Sequence, residues 1–217
     1  MPKLPLYGYF LSQSVAVATL GIAMLAAMGN APTSAIQLVF QADLTGSAES
    51  PANASAGTGT ALITLDDIAN TMRVQVNFSQ LTGNTTAAHI HSATASAGTG
   101  TAGVATTTPT FPGFPTGVKS GSYDQTFNML LSSSYNAAFI TANGGTTSSA
   151  QTALFNGIQS GKAYFNIHTS SFSGGEIRGF LAPMSAPATG VPEPDSILGL
   201  IVGTGFLLGL TKKYKMQ

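Results

Sequence analysis

The chain carries three histidines, His89, His91 and His168, and their spacing is where chemistry is most readily read. His89 and His91 are two residues apart, so on a β-strand both rings point to one face. His168 belongs to a second extended stretch, Tyr164-Phe165-Asn166-Ile167-His168-Thr169. There Tyr164, Asn166 and His168 share a face and Phe165 and Ile167 share the other. A third stretch, Glu176-Ile177-Arg178-Gly179, puts Glu176 and Arg178 on one face. Three imidazoles and the Glu176 carboxylate, brought together, form a ligand set for a borderline divalent metal, copper or zinc. The alternative is a structural network. In it Asn166, Thr169, Glu176 and Arg178 tie strands together, with each buried charge paired.

Other sets do less. Asp66 and Asp67 sit in an apparent hairpin turn, where Asp is favoured for backbone reasons. Ala97-Gly98-Thr99-Gly100 lacks the strand–glycine loop–helix context of a nucleotide site. No catalytic residues are identified. The absence of cysteine excludes thiolate catalysis, disulfides and Cys-ligated zinc. Zero net charge and only 7% charged residues give no electrostatic footprint for nucleic acid.

The elements that must position these groups read as strands. Met72, Val74, Val76 and Phe78 alternate with Arg73, Gln75 and Asn77, the period of a half-buried strand. Ala61 to Leu65 precedes it across a polar turn. Leu38 to Ala42, Ala87 to His91, Ala163 to Thr169 and Glu176 to Leu181 complete the set. The short Ser170 to Gly175 loop predicts a hairpin between the last two. If its register matches parity, His168 stands on the Glu176/Arg178 face. Ala150, Ala153, Leu154, Gly157 and Ile158 follow helical spacing, one of one or two short helices expected. The stretch 96–121, rich in Thr, Pro and Gly, predicts a long irregular loop. The fold class is all-β: an antiparallel immunoglobulin-like or superoxide-dismutase-like β-sandwich, flanked by separate N- and C-terminal hydrophobic helices.

The ends read as an export address. Lys3, an uncharged apolar run from Val15 to Met28, and Thr33-Ser34-Ala35 predict a signal peptide over 1–35, cleaved after Ala35. The domain then spans 36–181, followed by a linker over 182–190. Over 191–217, Val191-Pro192-Glu193-Pro194 precedes an uncharged apolar run, Ile197 to Leu210, and the lysines Lys212, Lys213 and Lys215. That order is a stop-transfer segment held by cytoplasmic charge. Fourteen residues at 1.5 Å each reach only ~21 Å, short of a ~30 Å hydrocarbon core. Such a segment suits a transient anchor.

Two resemblances add to this reading. The 191–217 segment resembles the PEP-CTERM sorting signal of exopolysaccharide-producing bacteria. That resemblance implies an exosortase-like processing enzyme cutting near Pro192-Glu193-Pro194, a passing association with the membrane, and a destination at the cell surface or in the extracellular matrix. The domain carries Leu44-Thr45-Gly46-Ser47-Ala48-Glu49-Ser50-Pro51, then Leu81-Thr82-Gly83 leading into Ala87-Ala88-His89-Ile90-His91. Tyr164 to Thr169 and Gly174-Gly175-Glu176-Ile177-Arg178-Gly179 follow. These together resemble the CHRD domain, a module first named from chordin. The resemblance implies an extracellular β-sandwich and no assigned reaction. The H-x-H pair is also similar to the way copper/zinc superoxide dismutase presents two copper ligands, but the chain has no Asp- and His-rich zinc loop. Two functions are therefore expected. The first is a non-catalytic surface or matrix module binding exopolysaccharide or surface proteins. The alternative is a copper- or zinc-binding domain with redox or scavenging activity.

Overall fold

A computed structural model of the chain describes residues 37–184. The expected signal peptide with its cleavage at Ala35, the terminal hydrophobic helices and the Val191 to Pro194 motif lie outside these residues. Among the described residues no helix is long and apolar enough to cross a membrane.

The fold is mostly antiparallel β. Its strands are β1 (Leu38–Thr45), β2 (Thr58–Asp66), β3 (Thr71–Ser79), β4 (Thr85–His91), β5 (Gly121–Asn128), β6 (Tyr164–Thr169), β7 (Ile177–Phe180) and β8 (Ala182–Pro183). Two helices, α1 (Ala137–Ala142) and α2 (Thr147–Gln159), fall between β5 and β6. All eight strands join in one curled sheet of order β4-β6-β7-β1-β2-β3-β5, with β8 also on β1. Among the described residues two separate sheets, as a sandwich would have, are not seen. The join is slender: β1 meets β7 through the single pair Thr45 and Arg178. Ala182 and Pro183, expected as linker, instead pair with Gln41 and Phe40.

Alternation accounts for the long strands. In β3, Met72, Val74, Val76 and Phe78 are buried, and they pack on the matching residues Ala61, Ile63 and Leu65 of β2. The β2–β3 turn is closed by Asp66, whose Oδ1 accepts hydrogen bonds from the Ile68 and Ala69 N–H groups. This fits a turn role for the aspartate, since a short carboxylate can satisfy turn amides locally. Helix α2 begins at a capping box in which Thr146 and Ser149 satisfy each other's amides. It buries Ala150, Leu154 and Ile158. The stretch 92–120 has no regular element beyond isolated bridges, as its Gly, Pro and Thr content predicts.

Strands β4, β6 and β7 are buried on both faces over most of their length. Ala88, Ile90, Phe165 and Ile167 enter the apolar core. The opposite face carries His89, His91, Tyr164, Asn166 and His168, roofed by the 92–120 stretch over His89, His91 and Tyr164 and by the β6–β7 loop over Asn166 and His168. A polar face under a roof must find partners inside the protein, and that requirement shapes the site.

Candidate functional site

Register places the site residues in three rows. His91 pairs with Tyr164, and Tyr164 with Phe180; His89 pairs with Asn166, and Asn166 with Arg178; Ala87 pairs with His168. The expected β6–β7 hairpin forms, with matching parity. The three histidines converge. One ring nitrogen from each lies within 4.8 Å of one from both others. Ring centroids are 5.2 Å apart for His89 and His168, and 5.9 Å for His91 with either of the other two.

Each ring is held the same way. His89 Nε2 lies 2.6 Å from the Pro109 carbonyl oxygen, His91 Nδ1 2.9 Å from that of Ala102, and His168 Nδ1 3.0 Å from that of Ser173. A carbonyl only accepts, so each of these nitrogens carries the proton and donates. The second nitrogens, His89 Nδ1, His91 Nε2 and His168 Nε2, are buried and have no hydrogen-bond partner. In a neutral imidazole they are bare lone pairs.

The rings are held neutral. Burial depresses all three histidines below the ordinary imidazole value, against the opposing effect of the backbone hydrogen bond each one makes. His91 is pushed furthest, to about 4, with smaller contributions from the other two histidines and the Arg178 charge. Its ring also stacks on Tyr164, centroids 4.7 Å apart and planes 5° from parallel.

Glu176 does not join them. Its carboxylate accepts from the Ser55 hydroxyl at 2.6 Å, the Thr169 hydroxyl at 2.6 Å, the Gly83 N–H at 3.0 Å and the Thr82 N–H. Burial alone would raise this carboxyl, but the four donors together hold it below the usual value. With its lone pairs so engaged, Glu176 takes the place of a structural anchor, the second of the two roles expected for it, and stands apart from the group of three histidines. It ties the Ser55 loop and the Thr82-Gly83 loop to the β6 end.

The expected structural network is really two. Thr169 belongs with Glu176. Arg178 belongs instead with Glu49: its Nε lies 3.8 Å from Glu49 Oε2 and donates to the Ala48 carbonyl. Burial outweighs the guanidinium and raises Glu49 to about 7. Asn166 Oδ1 and Glu49 Oε1 are both buried without a partner. They flank Gly175, whose φ is +131° and where a Cβ would stand 2.6 Å from Glu49 Oε1 and from Asn166 Nδ2. Only glycine fits there.

Glu49, Ser55 and Tyr164 were not singled out for these roles by sequence reasoning. Glu49 lies in the first of the four motif segments, which is the signal that could have flagged it. The backbone carbonyls of Ala102, Pro109 and Ser173 leave no side-chain signal at all.

No curated protein and no solved structure matches this chain. Residues 40–181 match the CHRD domain, a span that includes all three histidines, Glu49, Glu176 and Arg178. The chain belongs to the CHRD domain family.

Proposed function

We propose that this chain is an exported CHRD module that binds one copper or zinc ion through His89 Nδ1, His91 Nε2 and His168 Nε2. The observation that carries this is the set of bare nitrogens: three imidazoles, those of His89 and His91 buried and that of His168 half-buried, each with one N–H fixed by a backbone carbonyl and the other, buried nitrogen unpartnered. A buried polar atom without a partner costs free energy, and three beside one another are accounted for at once by a shared metal. A carbonyl on the outer N–H is the usual support of a ligating histidine, since it sets tautomer and ring direction. A neutral imidazole needs no proton displaced before it ligates. Tetrahedral ligation at ~2.05 Å brings nitrogens to about 3.3 Å of one another, so the rings close by an ångström or so on binding. Three protein ligands leave a coordination position open for a small molecule. No reaction is assigned.

Export and surface retention complete the proposal. They rest on the apolar run Val15 to Met28 ahead of Ala35 and on Val191-Pro192-Glu193-Pro194, the apolar run and terminal lysines. The partners on this reading are an exosortase-like enzyme, the membrane, and exopolysaccharide or surface proteins. Fractionation of cells expressing a chain truncated before Val191 tests this: free release is expected, and retention identical to the full chain contradicts it.

The metal is tested on the purified chain by elemental analysis and by melting before and after chelator. One equivalent of copper or zinc is expected, with a melting temperature that falls when it is removed, because a ligand bound to the native state stabilises it by mass action. A chain that takes up neither ion, and melts the same with chelator, contradicts the assignment.

The second reading, a non-catalytic module without metal, is favoured by the two buried carboxylate networks. Glu176 and Glu49 hold loops to strands with no ion required.

A further inference from the structure

The large apolar side chains left exposed among the described residues are Leu38, Ile68, Leu130, Leu131 and Met184. Scattered singly they would need no explanation. They are not scattered. Leu38 pairs with Leu65 at the end of β2, and Ile68 caps the β2–β3 turn just beyond. Thr71 pairs with Asn128, and the Met129 N–H donates to the Asn70 carbonyl, so Leu130 and Leu131 lie beside that turn. The Met184 N–H donates to the Val39 carbonyl. All five occupy one end of the sheet.

The same end is where the described chain enters, at Gln37, and leaves, at Met184. The uncharged run that opens at Ile197 lies thirteen positions after Met184. The segments that build this end carry two charges, Asp66 and Asp67. Asp66 is buried and spent on the turn amides. The nearest basic residue, Arg73 in the row of Val39, is paired with Asp124 at 2.6 Å.

We infer that this apolar end is a docking surface for a lipid bilayer, into whose interface Ile68, Leu130 and Leu131 insert. Clustered exposed apolar side chains mark interaction surfaces, and the C-terminal continuation leads from this end toward a segment that favours hydrocarbon, Ile197 to Leu210. With the nearby Arg73 paired to Asp124, the attraction is apolar, so zwitterionic lipid suffices and salt has little effect. The orientation that follows is functional. Arg178 pairs with Thr45, at the other end of β1, and seven residues at ~3.3 Å separate Thr45 from Leu38 by about 23 Å. The histidine face is therefore held away from the lipid.

The absence of cysteine permits a direct test on the full chain. Single variants Ile68→Cys, Leu131→Cys and Ser79→Cys, all at exposed positions, are labelled with bimane and mixed with phosphatidylcholine vesicles. Ser79 ends β3 at the far side of the sheet. Nitroxide lipids are expected to quench the labels at 68 and 131 severalfold more than the label at 79, at low and high salt alike. Equal access of an aqueous quencher to all three, in protein that floats with the vesicles, overturns the docking even if the terminal segments hold the chain to lipid. Protection at 68 and 131 without nitroxide quenching means that protein covers this end, and overturns it. So does a chain that does not associate with the vesicles. None of these outcomes depends on the metal.

Discussion

His91 and Tyr164 are cross-strand partners whose rings stack in parallel at 4.7 Å, and both reach the same carbonyl. His91 Nδ1 donates to the Ala102 oxygen at 2.9 Å, and the Tyr164 hydroxyl approaches it at 3.4 Å while accepting from the Ala102 N–H at 3.3 Å. The Arg178 guanidinium covers the tyrosine ring, 4.7 Å from its centroid. Tyr164 thus fixes both the plane of His91 and the carbonyl that selects its tautomer.

Removing that support weakens the metal more than the fold. Tyr164→Phe keeps the stack and loses the hydroxyl; Tyr164→Leu loses both. Support of this kind is worth about 10- to 100-fold in metal affinity. Competition titration with a chromophoric chelator is expected to show a small loss for Phe and a loss near the upper figure for Leu. Equal affinity in both variants, with melting alone lowered, would leave Tyr164 a packing residue.

Glu176→Gln separates the second network from the first. The amide keeps the shape but puts an NH2 where the carboxylate accepts from Ser55, Thr82, Gly83 and Thr169. Loss of charge-assisted bonds around a buried group costs about 3 kcal/mol. Urea unfolding is expected to show that loss while metal stoichiometry stays at one. Metal lost from a folded variant would return Glu176 to the ligand set.

The fold and the site were legible to different depths. Period-2 alternation placed β3 and β2 because each sets one apolar face on the core. It placed His89 and His91 together for the same reason. Strand β5 escaped because it is an exposed edge: Tyr123 is its one buried hydrophobic residue, too little to make a pattern. Parity could not choose between the two roles expected of Glu176, because parity holds only within a ladder. It stands one residue before β7, after the left-handed Gly175, and its side chain turns to Thr169 rather than His168. The joining of all strands into one sheet rests on the pair Thr45 and Arg178, which no local pattern announces.

The response to pH follows from two groups of opposite sign. His91 sits at about 4 in the fold and ~6.5 unfolded. The unfolded chain binds the extra proton between those values, so this contribution is present above ~6.5 and lost as pH falls toward 4. Glu49 sits at about 7 in the fold and ~4.3 unfolded. Here the native state holds the extra proton, so its contribution is present below ~4.3 and lost as pH rises toward 7. Between about 4.3 and 6.5 the two oppose each other. Chelator-treated protein is expected to show a shallow dependence of unfolding free energy on pH in that window. Glu49→Gln unmasks the histidines and gives a stability that climbs steeply with pH. An unchanged slope in the variant would show that Glu49 titrates normally.

The account stands on three imidazoles meeting one ion. X-ray absorption of the full chain loaded with one equivalent of copper or zinc counts them. The expected first shell contains three imidazole nitrogens at ~2.0 Å, with one lost in each of His89→Ala, His91→Ala and His168→Ala. A shell of oxygen ligands that these substitutions leave unchanged would contradict it.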